Sequence, residues 1–169
     1  MKKIALLVEN HYEDLEVHYP FLRLKEARFQ VDLVGTEKGA EYIGKNGYPL
    51  ISDLATKQVK PSDYVAVVIP GGYAPDMMRR CRETIEFVRE MDMQTKVIAA
   101  ICHGPWIMAS ACMLKGKTVT SFLSIRDDLV NAGATWVDKE VVVSDHLITS
   151  RTPQDLVAFT TAIINALRG

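Results

Sequence analysis

The chain of 169 residues is 48% hydrophobic and 24% charged. That is a globular composition on the scale of one domain, which excludes a disordered chain. Lys+Arg number 20 against 21 Asp+Glu, a formal net charge of -1, and this balance offers no electrostatic footprint for nucleic acid or an anionic membrane. No apolar run approaches the ~18–20 residues of a membrane helix. Lys2 and Lys3 precede the apolar string IALLV (4–8), which ends at Glu9, short of the ~7–15 residues of a signal-peptide core. One cytoplasmic domain spanning residues 1–169 is therefore expected. The three cysteines, Cys81, Cys102 and Cys112, have no C-x-x-C spacing; this argues against a disulfide framework or a cysteine-rich zinc site and leaves room for one working thiol.

In chain order, residues 3–8 form a continuous apolar run, as expected of a buried parallel strand. Residues 13–27 place Leu15, Tyr19, Leu22 and Glu26 at helical spacing. Residues 30–34 alternate as a second strand, and the turn string GKNG (44–47) joins residues 41–43 to 48–51 in a small hairpin. Residues 64–69 and 96–101 are buried strands, with helices over 75–93 and 104–113. A short strand over 117–121 and a helix over 125–132 follow, then β structure at 135–137, 140–144 and 147–150. Pro153 sits in the first turn of a last helix reaching about Leu167. This alternation predicts an α/β three-layer sandwich with a mostly parallel central sheet, plus the small β hairpin. Chemistry then collects at the carboxyl ends of the strands.

Three loops stand there. The string AICHGPW (100–106) holds Cys102 in a strand-to-helix turn, the placement of a nucleophile elbow. A helix N-terminus aimed at the sulfur, with His103 beside it, predicts a lowered thiol pKa. The string IPGGYAPD (69–76) puts two glycines after a buried strand, so that backbone N–H groups can turn toward a ligand as half of an oxyanion hole. A tight turn with no ligand would use the same glycines. The string ENHYEDLE (9–16) follows the first strand, and Glu13 is placed to reach toward Cys102. A carboxyl beside a thiol in a partly dry cleft holds its proton to higher pH and can act as an acid or base near neutrality. His146 is followed by Leu147 and Ile148, so it lacks the His-x-Glu partner that glutamine hydrolysis needs, and it reads as a turn residue. Neither a metal site nor a phosphate loop is apparent in the spacing, and no cofactor is expected.

The strings YEDLE (12–16) with Tyr19 and Pro20, PGGYAPD (70–76), ICHGP (101–105), SIRDD (124–128), NAGATW (131–136) with VVV (141–143), and SRTP (150–153) with Asp155 and Leu156 resemble the DJ-1/PfpI family. The likeness is greatest to its PfpI-like intracellular protease or amidase branch, within the class I glutamine amidotransferase-like superfamily, and covers nearly the whole chain. The resemblance implies a flavodoxin-like fold, with Cys102 as nucleophile, His103 as its adjacent histidine, and Glu13 as the glutamate that contacts the cysteine. It implies that Gly72 and His103 supply oxyanion-hole N–H groups. It also implies that Asp76, standing where the family carries a longer glutamate, meets the His103 of a neighbouring subunit. His11 occupies a position that is often glycine in the family.

Three functions compete under this resemblance. The first is a stress-related, glutathione-independent enzyme acting on small α-oxoaldehydes, of glyoxalase or deglycase type. The second is a PfpI-like cysteine peptidase or amidase. The third is a non-catalytic redox sensor or chaperone built on Cys102. The expected partners are a small carbonyl substrate or a peptide and further copies of the chain, as a homodimer or homohexamer, with no nucleic acid or membrane.

Overall fold

The first apolar run forms β1 (Lys3–Leu7), whose last four residues are buried. A strand without a polar face needs cover on both sides, and the rest of the chain supplies it. The computed structural model describes residues 2–169. After β1 come α1 (Asp14–Glu26), β2 (Gln30–Gly35), β3 (Glu41–Ile43), β4 (Pro49–Ile51), β5 (Leu54–Ala55) and β6 (Ala66–Ile69). Then follow α2 (Ala74–Arg79), α3 (Arg82–Met93), β7 (Val97–Ile101), α4 (Pro105–Ala111), β8 (Thr118–Val119) and α5 (Arg126–Asn131). The chain closes with β9 (Thr135–Trp136), β10 (Val141–Ser144), β11 (Leu147–Ser150) and α6 (Leu156–Arg168).

The central sheet has the order β10-β11-β7-β6-β1-β2-β5. It is parallel except for the β10–β11 hairpin at one edge. Helices α1 and α6 pack on each other, and α2, α3 and α4 form a second group, so that helices flank the sheet. The β3–β4 hairpin stands apart as a two-stranded antiparallel unit. From β1 the chain turns to β2 on one side and returns to β6 on the other. Such a reversal opens a crevice at the carboxyl ends of the two strands. The loops after β1 and β6 lie there, beside the end of β7.

Several elements differ from the sequence-based expectation. The helix expected over 75–93 is two helices, because Cys81 takes an extended conformation (φ -93°, ψ 112°) between α2 and α3. The two-residue β5 was not expected, since Leu54 and Ala55 give too short a run to register as a strand. The last helix begins with a 3-10 turn at Pro153–Asp155. On α1 the buried residues are Glu16, Val17, Pro20 and Leu24, while Leu15 and Leu22 are exposed. Both stripes have helical spacing, and only the packed structure decides which one faces inward. The choice puts a carboxylate, Glu16, in the interior.

Candidate active site

Gly71 and Gly72 bring three loops together. The Tyr12 segment makes a β-bridge with Gly72, and the Glu13 N–H donates to the Gly71 carbonyl at 3.2 Å, as the Tyr73 N–H does to His11 at 2.9 Å. A Cβ on Gly71 would stand 2.6 Å from Cys102 Cβ, 2.6 Å from Glu16 Oε2 and 2.9 Å from the His103 nitrogen. Gly72 has a φ of 76° and is equally enclosed by the His11–Glu13 backbone. Any side chain at Gly71 would displace the groups of the site, and Gly72 also needs its left-handed backbone.

Cys102 follows the last residue of β7 with a φ of 61°, an uncommon conformation for a residue other than glycine, and one that costs on the order of 1–3 kcal/mol. Its backbone is fixed on both sides: its N–H donates to Ser150 and its carbonyl accepts from Phe122. Only 9% of the residue is exposed. The N–H groups of Gly72 and His103 lie beside the sulfur and lower its pKa, and Glu16 lies against it.

Glu16 is completely buried. Its Oε2 accepts the Gly71 N–H at 2.6 Å. Its Oε1 has no partner that meets hydrogen-bond geometry. Burial, opposed by the Gly71 hydrogen bond, pushes the Glu16 carboxyl up to about 8. Burial and then the Glu16 charge push the Cys102 thiol up to about 12, against the lowering effect of the two amides. The expected lowering of the thiol pKa is therefore not what the structure presents. Helix α4 is only seven residues long, and desolvation of the sulfur outweighs its N-terminus. The two groups titrate as a pair. Near pH 7 both groups therefore keep their protons, and Glu16 is set to donate one to a group formed beside the sulfur.

The carboxylate expected against the thiol was Glu13, and the structure puts Glu16 there instead. Glu13 lines the cleft, but its carboxylate is paired with Lys45 in the turn of the β3–β4 hairpin. That pairing holds the Lys45 ammonium above its usual range. The turn itself is fixed by Asp14, which accepts from the Asn46 and Tyr48 N–H groups at 3.0 and 3.1 Å. The single acid run 13–16 thus feeds three different tasks.

His103 Nδ1 lies 3.3 Å from Cys102 Sγ, and its Nε2 lies 3.1 Å from Ser124 Oγ. The ring stacks on Phe122 at 4.9 Å and meets Trp106 edge-on at 5.3 Å. Burial, then the Lys45 charge, lower its pKa, so the imidazole is neutral near pH 7. Within the chain Asp76 is not brought to His103: its carboxylate is held by Arg80 on the exposed side of α2. His11, with a φ of 61°, takes a backbone conformation that suits glycine. His146 is indeed in the β10–β11 turn, and it bonds Asp92 at 2.7 Å, far from the cleft. Cys81 and Cys112 lie outside the site, and among the described residues no cluster of metal-ligating side chains occurs.

These groups open into a cleft of about 770 Å³ walled by His11, Tyr73, Trp106, Phe122, Pro153 and Gln154, with Glu13 and Lys45 on one side. Its walls are mainly apolar with a few convergent polar groups, the usual character of a small-molecule site. Sequence reasoning missed Glu16, Lys45, Phe122 and Ser124. The first had a signal in the row Glu16, Pro20, Leu24; the others come from loops whose approach no spacing encodes.

The model of the DJ-1/PfpI family matches residues 2–166. "Deglycase PfpI" of Pyrococcus furiosus is 43% identical over 166 residues, covering 98% of this chain and 99% of that protein. "Putative cysteine protease YraA" of Bacillus subtilis is 43% identical over 167 residues, 99% of each chain. Among solved structures, a two-domain protein from Anabaena variabilis with DJ-1/ThiJ/PfpI-like and ferritin-like domains superposes with a TM-score of 0.97 at 45% identity. That match covers 99% of this chain, which spans 48% of that protein. Drosophila melanogaster DJ-1beta superposes with a TM-score of 0.91 at 29% identity, over 98% of this chain and 90% of that one. With a flavodoxin-like sheet, a strained cysteine between β7 and α4, and this likeness along its whole length, the chain belongs to the DJ-1/PfpI family.

Proposed function

We propose that the protein is a cysteine-dependent enzyme acting on small α-oxoaldehydes or their adducts, without glutathione or another cofactor. The observation that carries this reading is the Glu16–Cys102 pair, which sets a buried, protonated carboxyl against a thiol flanked by the Gly72 and His103 amides. The sulfur adds to the aldehyde carbon of a substrate such as methylglyoxal as the thiol proton passes to His103 Nδ1, giving a hemithioacetal alkoxide. The Gly72 and His103 N–H groups act as oxyanion-hole donors to the alkoxide. Glu16 gives its proton to the alkoxide, and the carboxylate so formed moves the proton of the former aldehyde carbon to the neighbouring carbonyl carbon, while the hydroxyl proton passes to that carbonyl's oxygen. The first carbon is oxidised and the second reduced, leaving a thioester of a 2-hydroxy acid. Water hydrolyses the thioester and restores the thiol. His103 moves protons on and off the sulfur. Glu13 and Lys45 line the substrate side of the cleft. The relatives named as deglycases support this chemistry.

A second reading, peptide or amide hydrolysis by Cys102 and His103, is favoured by the relative named as a putative cysteine protease. In that reading Asp76 reaches His103 of another subunit in a dimer or hexamer, and the exposed Leu15 and Leu22 on α1 belong to a subunit contact. The apolar character of the cleft favours the small substrate. The test is a parallel assay of wild type and Cys102→Ala on methylglyoxal without glutathione and on a peptide amide. Cys102-dependent conversion of methylglyoxal to lactate is the expected result. Cys102-dependent release from the amide alone would overturn the first reading in favour of the second.

A further inference from the structure

We infer that Ser124 is the positioning residue of His103, supplied by the same chain, and that its hydroxyl completes a proton path from the Cys102 thiol to solvent. The geometry is a three-atom line: Cys102 Sγ to His103 Nδ1 at 3.3 Å, then His103 Nε2 to Ser124 Oγ at 3.1 Å. The two ring nitrogens are thus both engaged, one on the sulfur and one on the hydroxyl. Ser124 itself is exposed, at the turn that leads from Phe122 into α5. Phe122, two residues earlier, stacks on the same ring, so one short loop fixes both the plane of the imidazole and its direction.

The choice of a hydroxyl has a chemical consequence. A carboxylate on Nε2 accepts only, which holds the proton on Nε2 and leaves Nδ1 as acceptor, the arrangement of a catalytic triad. A serine hydroxyl donates or accepts. It therefore serves both neutral tautomers of His103. When the thiol ionises, the Sγ proton passes to Nδ1, the Nε2 proton passes to Ser124 Oγ, and the serine proton leaves to water. The ring ends neutral in the other tautomer, with Nδ1–H donating to the thiolate and Nε2 accepting from the serine. No charged imidazolium has to form in a half-buried stack between Phe122 and Trp106. Asp76, committed to Arg80 on an exposed face, is not needed for this path.

The titratable groups around the ring are Cys102, His11, Glu13 and Lys45 in the cleft, with Arg79 and Asp128 held against Trp106. None of them touches Nε2, so a change confined to Ser124 reports on that nitrogen. The inference rests on Cys102 as the reactive thiol but not on any substrate. Its test is therefore the rate of Cys102 alkylation by iodoacetamide across pH in wild type, Ser124→Ala and Ser124→Thr, alongside the ring nitrogen shifts of His103 by NMR. Ser124→Ala is expected to slow alkylation near pH 7 by about threefold to tenfold, the scale of one net hydrogen bond. It should displace the pH profile and the His103 Nε2 signal, and Ser124→Thr should restore all three. Thermal unfolding of each variant reports whether the fold is kept. An alkylation profile of Ser124→Ala that overlays wild type, or a loss that Ser124→Thr does not restore, overturns the inference. Failure of methylglyoxal turnover with these alkylation effects intact would instead count against the proposed reaction alone.

Discussion

Replacing Glu16 by glutamine isolates the buried acid from everything else in the site. Glutamine keeps the shape of the protonated carboxyl: its oxygen accepts the Gly71 N–H, now met by Oε2 at 2.6 Å, and its amide faces the sulfur. The variant removes only the ability to ionise. In the native protein the carboxyl titrates at about 8, against 4.5 when unburied. Between those values the folded state holds a proton that the unfolded chain has released. Stability is thus fully present below 4.5 and falls as pH rises toward 8, at ~1.36 kcal/mol per pH unit. From pH 5 to pH 8 this amounts to a loss on the order of 4 kcal/mol, a large share of the ~5–15 kcal/mol that holds a domain folded. Urea unfolding of wild type and Glu16→Gln at the two pH values measures it. The wild type should weaken with rising pH relative to the variant, and the variant should be the more stable at pH 8. Turnover should fall by ~10²–10⁴-fold, the usual contribution of a general acid–base group, while Cys102 still alkylates. Parallel pH dependence of stability in the two proteins would refute the assignment of a neutral, buried Glu16.

Gly71→Ala places a methyl 2.6 Å from both Cys102 Cβ and Glu16 Oε2. It should destabilise the protein by about 1–3 kcal/mol, as overpacking does, and lower turnover; thermal unfolding and the methylglyoxal assay check both. Light scattering should give a mass above the 18.9 kDa of one chain, and Asp76→Ala should weaken any peptide hydrolysis while sparing Cys102 alkylation. A monomer with full peptide-hydrolysing activity would contradict the shared-subunit reading.

The sheet was legible because residues 4–8, 64–69 and 97–101 are continuous apolar runs, and a strand buried on both faces needs nothing else to announce it. Cys102 and Gly72 were legible for a related reason: each follows such a run, where a parallel sheet gathers its chemistry. The identity of the buried acid was not. Glu13, Asp14 and Glu16 lie within one helical turn, and their tasks differ by rotation about the α1 axis. Leu15, Tyr19 and Leu22 advertised an inward face, but the structure exposes Leu15 and Leu22 and only half-buries Tyr19. The thiol's environment was hidden too, since helix polarity is visible in a sequence and desolvation is not. Lys45 and Ser124 reach the site from a hairpin turn and from the loop before α5, contacts that depend on tertiary approach rather than local pattern.

The central claim is that the Cys102 sulfur bonds covalently to the carbonyl carbon of a small substrate. Acid quenching during turnover of methylglyoxal, followed by mass spectrometry of the peptide containing Cys102, reads that bond directly. The account predicts a thioester-linked adduct on Cys102 that appears before product and is absent in the Cys102→Ala variant, which makes no lactate. Adducts confined to lysine and arginine side chains, with lactate still formed by Cys102→Ala, would contradict it.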